Sequence, residues 1–500
     1  MWLELLGSLL VAIIVYGVYF RWTRRKMFAS VREMHGPINL PLIGYSYLFF
    51  GKSTPVSIGR VLYKLMHQYP TPTKGWFGPY LVVMLDKPEH CKTVLNSSVC
   101  LNKAPHYRFF GLHALLASEG TLWSSRRKRL NLSFSRKTLN GFFGIFNRKA
   151  RQFIDDAMKL ADGVERNMSS EFAKWTLDNI TATFLELEID DYVDKAEYLK
   201  KVELYLPYVI KRVFKLHHYS DFIYHLTKDW TVFSTTRRNV REVTWKALDR
   251  KFAQKRTEIE TDGTTNGEEN TSRAKPLLDM LYDMVRDSSQ AMTVEEMAHH
   301  VDEVIYAGFD TTAISISNVI LLLAMHPEVQ ERVYQEVMAV CPDPNVEITQ
   351  EDCYKLVYTD MVIKETMRLY PVVPLLVRSL TADLKLDDQF TLLKGTLIAI
   401  ASGRMQRNPE IWGPQANVFN PDHFLPEQIA QRHPYSYLPF SAGPRNCIGG
   451  RFAMLSMWLT VAYFVRAFRI RTLLRQEDLQ TSFEMIQRVN NGCLVSLLPR

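Results

Sequence analysis

The sequence predicts a mainly α-helical fold with a minor β-sheet, preceded by one transmembrane helix at the amino terminus. Helix is predicted because long stretches repeat apolar residues at helical spacing, namely 142–162, 170–190, 227–256, 294–326 and 450–468. Strand-like segments are short by comparison: they are 80–85, 385–386, 396–401 and 494–498. An apolar run also opens the chain. Together these patterns predict one large domain over residues 46–500, behind an anchor and a linker.

The segment 1–21 is predicted to be an uncleaved signal anchor. Residues 2–20 are apolar apart from Glu4, Ser8 and two glycines, and a helix of that length spans about 28 Å, close to one hydrocarbon core. Basic residues follow within 21–26, whereas no Lys or Arg precedes the run. The positive-inside rule therefore places the rest of the chain in the cytosol. A cleaved signal peptide is the weaker alternative, because no small-residue cleavage site follows.

Two further segments are predicted to be irregular. Residues 22–45 form a basic linker that is rich in Pro and Gly, with two of each within 35–44. Residues 257–275 are polar and almost free of large apolar groups. We expect a surface loop there, inside the domain. A boundary between two independent domains is the weaker interpretation.

Composition and charge exclude several classes of protein. The chain has 47% hydrophobic and 23% charged residues and a formal net charge of +8. No zinc-finger spacing or RNA-binding aromatic motif accompanies that charge, so nucleic acid is not an expected partner. An acidic protein or an anionic membrane surface is preferred. The six cysteines form no CxxC pair, which indicates neither a disulfide scaffold nor a zinc site.

One cysteine stands in a distinctive loop. Residues 440–449 read Phe-Ser-Ala-Gly-Pro-Arg-Asn-Cys-Ile-Gly and directly precede the helical run 452–464. The positive end of that helix and nearby backbone N–H groups would favour a thiolate at Cys447. A thiolate is a soft anionic ligand for haem iron. The alternative is a buried cysteine in an ordinary loop, which the four other fixed residues of the motif make the weaker interpretation.

This loop resembles the cytochrome P450 haem-binding signature, Phe-x-x-Gly-x-Arg-x-Cys-x-Gly, at every fixed position. The resemblance extends over residues 36–500. It implies the cytochrome P450 fold and haem b, with Cys447 as the metal ligand and with Phe440, Arg445 and Gly449 beside the cofactor.

A second landmark of the family is a structural ion pair. Glu365 and Arg368 lie three residues apart and can pair on one helix face. Alone, Glu-x-x-Arg is a weak signal, but the following Tyr-Pro-Val-Val-Pro makes it resemble the family's helix K motif. The family usually adds an Arg from a downstream segment, where this chain has His423. A histidine can still hydrogen-bond, although it is shorter and only partly charged, so we expect a weaker network.

A third landmark is Ala-Gly-Phe-Asp-Thr-Thr at 307–312, within a helix that starts near Thr293. It resembles the family's oxygen-activation motif in helix I. The missing side chain of Gly308 would leave room for dioxygen, the Thr311 hydroxyl would hydrogen-bond it, and Asp310 would relay protons. A solvated Asp and a Thr bonded back to the helix are the plainer interpretation.

A fourth landmark concerns the haem propionates. Trp123 and Arg127 are four residues apart and would point the same way from one helix. The resemblance implies that this pair binds a propionate, with Arg378 and Arg445 as further partners through Arg–carboxylate pairing. The charge run around Arg127 is either a solvated face or a docking surface for an acidic reductase.

Within the family, 115–123 and 439–449 resemble the family 4 clan, which includes fatty-acid ω-hydroxylases and many insect enzymes. Many members of that clan carry a Glu that esterifies a haem methyl group. This chain has Ala307 at that position, so covalent attachment is not expected and strict ω-selectivity is in doubt. Glu303, one helical turn earlier, is not expected to replace it.

The resemblance further implies an endoplasmic-reticulum enzyme that inserts one oxygen atom of O₂ into a lipophilic substrate, such as a fatty acid, a steroid-like molecule or a xenobiotic. Electrons would come from NADPH through a separate reductase, because this chain contains no dinucleotide-binding fingerprint. Cytochrome b5 is a further expected partner. The substrate pocket is expected to be lined by Phe109, Phe110, Leu112, Leu115, Ala307, Val373, Leu375 and Leu376.

Two rival functions stay open. One is a haem-thiolate isomerase or dehydratase that needs no reductase, which the adjacent Asp310 and Thr311 argue against. The other is a non-catalytic haem-binding protein, which the weakened network at His423 keeps open.

Overall fold

A computed structural model describes residues 2–191, 193–261, 276–287, 292–483 and 486–500. Most of these residues are helical. The α-helices are α1 (Trp2–Thr23), α2 (Arg25–Ser30), α3 (Pro55–Gln68), α4 (Pro88–Asn96), α5 (Gly120–Leu130), α6 (Arg136–Gly141), α7 (Phe143–Met158), α8 (Ser169–Phe184), α9 (Lys195–Phe214), α10 (Asp221–His225), α11 (Lys228–Thr261), α12 (Leu277–Arg286), α13 (Val294–Met325), α14 (Pro327–Val340), α15 (Gln350–Lys355), α16 (Val357–Leu369), α17 (Ser402–Met405), α18 (Pro409–Trp412), α19 (Pro426–Gln431) and α20 (Gly450–Ala467).

The strands of the described residues are short and fall into four small sheets. They are β1 (Thr73–Phe77), β2 (Tyr80–Leu85), β3 (Arg166–Asn167), β4 (Leu376–Ser379), β5 (Leu384–Lys385), β6 (Thr391–Leu392), β7 (Leu397–Ile400), β8 (Phe468–Arg471), β9 (Thr481–Phe483), β10 (Gln487–Val489) and β11 (Leu494–Pro499). The largest sheet has the order β1-β2-β7-β4, with β2 and β7 parallel and the other pairs antiparallel.

The predicted fold class, mainly α with a minor β-sheet, is confirmed. The five long segments with helical periodicity correspond to α7, α8, α11, α13 and α20. The four predicted strand segments correspond to β2, β5, β7 and β11. The predicted loop 257–275 is wrong at its start, because residues 257–261 are the last residues of α11. The rest of that segment, 262–275, lies outside the described residues.

Helix α13 is the centre of the helical core. Thr293 caps its first turn in a reciprocal capping box with Glu296, which is the start that the sequence predicts. Its apolar window is long enough to cross a membrane, but 83% of that window is buried against other helices. It is therefore a core helix. In α1 the apolar stretch among the described residues, Leu10–Thr23, is shorter than a membrane span.

The segment after α1 packs against the largest sheet. Val31 and Met34 are 1% and 4% exposed, and the rings of Phe28 and Trp76 stack with centroids 4.7 Å apart. The Lys74 ammonium donates to the carbonyl of Val31 at 2.7 Å. Part of the predicted linker 22–45 is thus attached to β1, and the boundary of the catalytic domain at residue 46 stays a prediction.

Candidate functional site

The loop before α20 holds Cys447 in a defined position. The Cys447 amide donates to the carbonyl of Phe440 at 2.9 Å, which closes the loop. Gly443 has φ +70°, and a Cβ there would lie 2.0 Å from the Leu95 carbonyl oxygen. Both observations require glycine at 443. Because α20 begins at Gly450, the sulfur lies beside the amino-terminal end of that helix.

The Cys447 side chain exposes surface, yet burial raises the pKa of its thiol. The exposed surface and the effect of burial are compatible because this surface faces an interior space rather than bulk water. The backbone N–H groups of Gly449 and Gly450 and the charges of Arg127 and Lys103 act in the opposite direction. The predicted electrostatic support for a thiolate is therefore present, although burial outweighs it in the protein alone. Binding to a metal ion would deprotonate the thiol.

Two buried arginines lie near this cysteine. Arg378 on β4 is 1% exposed and donates to the Ser441 hydroxyl at 3.3 Å. Arg445 is 7% exposed, and its guanidinium lies 4.4 Å from the ring centroid of Trp123. Its donors reach backbone carbonyls, namely those of Leu101, Leu115 and Ser118. Burial, with a contribution from Arg378, lowers the pKa of Arg445 to about 10.

Two further cations belong to the same cluster. Arg127 on α5 donates to the backbone carbonyl and to the side-chain oxygen of Asn446, both at 2.8 Å. Lys103, which the sequence did not indicate, lies over the ring of Tyr107 at 5.1 Å. Burial, followed by the charges of Arg378 and Arg445, lowers the pKa of Lys103 well below its ordinary value. Lys103 precedes α5 in an irregular segment, where no periodic pattern could have indicated it.

The residues present fit a haem. Among the residues that the structure describes, the cations of this cluster form no ion pair with a carboxylate; they are Lys103, Arg127, Arg378 and Arg445. Cations that are buried without an anion are costly, and two haem propionates would supply the missing charges. A sulfur that faces the same interior region is a suitable axial ligand for the iron.

Helix α13 presents a second set of predicted residues. Ala307 is exposed although the helix is central, and the Thr311 hydroxyl donates to the Ala307 carbonyl at 2.6 Å. Asp310 is 5% exposed and forms an ion pair with Arg488 of β10, with N–O distances of 2.6 and 2.7 Å. The plainer interpretation of this motif is thus partly right, because Thr311 bonds back to its own helix. Arg488 was missed, since nothing in its short strand distinguishes it.

The predicted role of Gly308 is corrected. A Cβ at 308 would lie 2.4 Å from Cδ1 and 2.8 Å from Cγ1 of Ile180. The space beside Gly308 is therefore filled by a side chain of α8 and does not accommodate dioxygen. Glycine at this position permits close approach of α8 and α13.

The Glu365–Arg368 pair is buried. Both side chains have no exposed surface and lie 2.7 Å apart. The Nδ1 atom of His423 lies 3.0 Å from Glu365, and the Asn420 amide donates to the same carboxylate at 2.9 Å. Burial opposes ionisation, but the hydrogen bonds from Arg368 and His423 hold the pKa of Glu365 below its ordinary value. The predicted hydrogen bond of His423 is confirmed.

A second arginine supports this network. Arg432 donates to the His423 carbonyl, and its guanidinium lies 4.1 Å from the ring centroid of Trp412. The guanidinium of Arg368 lies 4.7 Å from the same ring. The sequence did not indicate Arg432, because its contacts arise only when α18 and α19 fold together.

The residues predicted for a substrate pocket are spread over several clusters. Phe109 and Phe110 pack with side chains of α9 and α11. Leu115 belongs to the main core, whereas Leu376 and Val373 belong to the core around the largest sheet. Leu112 is 5% exposed and Leu375 is half-buried. Only Ala307 is well exposed among them, so the pocket composition stays a prediction.

Comparison with known proteins is consistent with this geometry. The family described as cytochrome P450 matches residues 34–492. Similar curated proteins include probable cytochrome P450 313a4 of Drosophila melanogaster, 28% identical with 97% of each chain covered. Cytochrome P450 4c3 of the same organism is 30% identical, with 99% of this chain and 94% of the relative covered. Cytochrome P450 4V2 of Rattus norvegicus is 29% identical, with 96% and 91% covered.

These relatives confirm the predicted likeness to family 4 and to insect members. The match covers the Cys447 loop, the Glu365–Arg368 pair and the α13 motif. The chain therefore belongs to the cytochrome P450 family of haem-thiolate monooxygenases.

Proposed function

We propose that this chain oxidises a lipophilic small molecule, with electrons that a separate reductase delivers from NADPH. The observation that carries the proposal is the position of Cys447, at the start of α20 and near four cations that have no carboxylate partner among the described residues. A haem bound there would supply the chemistry of dioxygen activation and of oxygen insertion into a C–H bond.

The residues around that position would hold the cofactor. Cys447 would ligate the iron, with Phe440 and Gly449 beside it. The propionates would be bound by side chains that are already close together, namely Lys103, Trp123, Arg127, Arg378 and Arg445. Ala307 has no carboxyl group, so non-covalent binding is expected.

Two residues of α13 are proposed to handle protons. The Thr311 hydroxyl donates its proton to a backbone carbonyl. Its oxygen can therefore still accept a hydrogen bond on the helix face that Thr311 shares with Ala307. Asp310 is held by Arg488, which is about a quarter exposed. We propose that this ion pair connects solvent with the cavity, so that the Asp310 carboxylate takes up a proton from solvent and passes it toward Thr311.

The redox partner and the membrane are proposed from charge and hydropathy. Near the Cys447 loop, Lys128 on α5 is exposed and suits an acidic reductase surface. Cytochrome b5 is proposed as a second acidic partner. The apolar α1 is followed by basic residues, which supports a single-pass anchor in the endoplasmic reticulum with the catalytic domain in the cytosol.

The first test is the reduced, carbon-monoxide-bound difference spectrum of the purified full-length chain. We expect a strongly red-shifted Soret band that is lost in Cys447→Ala. Cys493→Ala, which alters a buried cysteine in another region, is the matched control and should keep the band. A wild-type band without the shift would refute thiolate ligation.

A second measurement separates the proposed oxidation from the rival functions. NADPH consumption and product formation are followed with a reductase and a set of lipophilic substrates. A monooxygenase consumes NADPH in step with product. An isomerase or dehydratase would convert a peroxide substrate without reductase, and a non-catalytic haem protein would form no product.

A further inference from the structure

Glu303 is a partly buried carboxylate on the cavity side of α13. It lies one helical turn before Ala307 and two turns before Thr311, so the three side chains share one helix face. Ala307 is exposed and Thr311 and Glu303 are half-buried, although α13 is the central helix. This face therefore borders an interior space rather than another helix.

In the part of the chain that the structure describes, the carboxyl group of Glu303 has one direct hydrogen-bond donor. The Leu116 amide donates to both oxygens, at 3.0 Å to Oε1 and 2.9 Å to Oε2. Within the described residues Glu303 has no ion-pair partner within 4.0 Å. A carboxylate offers about four lone-pair sites, so most of its acceptor capacity is free for a ligand.

The charges around Glu303 are few and identifiable. Burial raises the pKa of Glu303 to about 7, and the Leu116 amide and the charges of Lys103, Arg445 and Arg126 oppose this rise. Two of these cations, Lys103 and Arg445, belong to the cluster assigned above to the propionates. Once those cations pair with a cofactor, the Leu116 amide remains the nearest donor, and a polar group of a ligand can complete the site.

We infer that Glu303 is the polar anchor of the substrate cavity and selects lipophilic molecules that carry a hydrogen-bond donor. That donor is a hydroxyl or a protonated amine, either of which a carboxylate accepts directly. A molecule that offers only ether or carboxylate oxygens near this position gains no such bond. The inference rests on the proposed function and narrows its substrate class.

Asp302 provides an internal control. It adjoins Glu303 in the sequence but faces α11, where it accepts a hydrogen bond from the Thr244 hydroxyl at 2.5 Å and pairs with Arg241. It is 1% exposed. Asp302→Asn therefore removes a neighbouring charge from the same helix without changing the face that borders the cavity.

The test measures binding rather than turnover. The haem-loaded full-length protein is titrated with 1-dodecanol, its methyl ether and N,N-dimethyldodecylamine, and dissociation constants are taken from the change in the haem absorption band and from calorimetry. We expect the wild type to bind the alcohol about fivefold to tenfold more tightly than the ether, the range that one hydrogen bond supplies.

Substitutions then test whether Glu303 causes the preference for the alcohol over the ether. Glu303→Leu should abolish it, and Asp302→Asn should keep it. Glu303→Gln keeps an acceptor without the charge, so it should retain the preference for the alcohol but lose affinity for the amine. This arm distinguishes the two kinds of donor.

Several outcomes would overturn the inference. One is an unchanged ratio of alcohol to ether binding in Glu303→Leu. Another is equal weakening of all three probes, which would assign Glu303 only to fixing the loop at Leu116. Equal binding of alcohol and ether by the wild type, or binding of none of the probes, would also refute it. The carbon-monoxide spectrum is recorded on every variant, so failure of the thiolate assignment is detected separately.

Discussion

The Nδ1 atom of His423 lies 3.0 Å from the Oε1 atom of Glu365, a carboxylate with no exposed surface. The depressed pKa of Glu365 means that this carboxylate is ionised and accepts the bond, so His423 must donate from Nδ1. A neutral histidine can do this. The network of Glu365 and Arg368 therefore persists without the arginine that the family usually supplies here.

The first prediction concerns the strength of this contact. His423→Ala removes one donor to a buried charge, so it should lower the free energy of unfolding by about 1–3 kcal/mol. Urea denaturation of the haem-loaded protein measures the change. His67→Ala, at an exposed position on α3, should change stability by less than about 0.5 kcal/mol. Equal effects of the two substitutions would mean that His423 contributes nothing to the network.

The second prediction separates two glycines of the cysteine loop. Gly443→Ala combines a positive φ with a contact of 2.0 Å to a backbone oxygen, so it should destabilise the protein by more than about 3 kcal/mol. At Gly449 the φ angle is −84° and a Cβ would lie 4.0 Å from the Cys447 sulfur. Gly449→Ala should therefore fold normally. Thermal unfolding and haem content of both variants test the contrast, which fails if Gly443→Ala folds as well as Gly449→Ala.

The sequence predicted those elements of the fold that carry a recognisable pattern in their own residues. Five of the long helices carry enough periodic apolar residues to be recognised, namely α7, α8, α11, α13 and α20, and α13 even begins at its predicted cap. The 20-residue helix α9 was not among the predicted segments. The strands β1, β3, β4, β6, β8, β9 and β10 match none of the predicted segments, and all of them except β1 have four residues or fewer. Such strands are specified by pairing with distant partners rather than by their own sequence.

The site residues likewise divide into those that local motifs indicate and those that only distant contacts define. Cys447, Arg445 and Arg378 could be named because each occupies a position in a local motif. Lys103 and Arg488 could not, because their roles depend on contacts with residues far away in the chain. The error at Gly308 has the same origin. A missing side chain indicates space, but only the packed structure shows that Ile180 fills it.

The third prediction concerns the ion pair between Asp310 and Arg488. Arg488→Leu leaves Asp310 buried without its partner, so proton delivery should become less efficient and more NADPH should be consumed per product molecule. Arg488→Lys should restore part of the coupling because it keeps the charge. The ratio of product to NADPH, with the solvent isotope effect on turnover, measures this. A merely structural role would lower the protein's stability and leave both quantities unchanged.

The fourth prediction follows from the raised pKa of Glu303. Burial is the main reason why this pKa is about 7, against an ordinary value of 4.5. Between these values the unfolded chain has lost the proton and the folded protein still holds it. The contribution of Glu303 to stability therefore falls as the pH rises from about 4.5 to about 7, and is constant above that range.

Glu303→Gln has no such titration, so its melting temperature should rise relative to the wild type between pH 5 and pH 7 and then keep a constant difference. Burial opens this window, and the cations Lys103, Arg126 and Arg445 and the Leu116 amide narrow it by opposing the rise in the pKa of Glu303. Glu295 is the opposite case, because Arg241 lowers its pKa. Glu295→Gln should therefore be less stable than the wild type by a nearly constant amount over pH 5–8. A flat difference for Glu303→Gln over the same range would show that Glu303 is already ionised at pH 5.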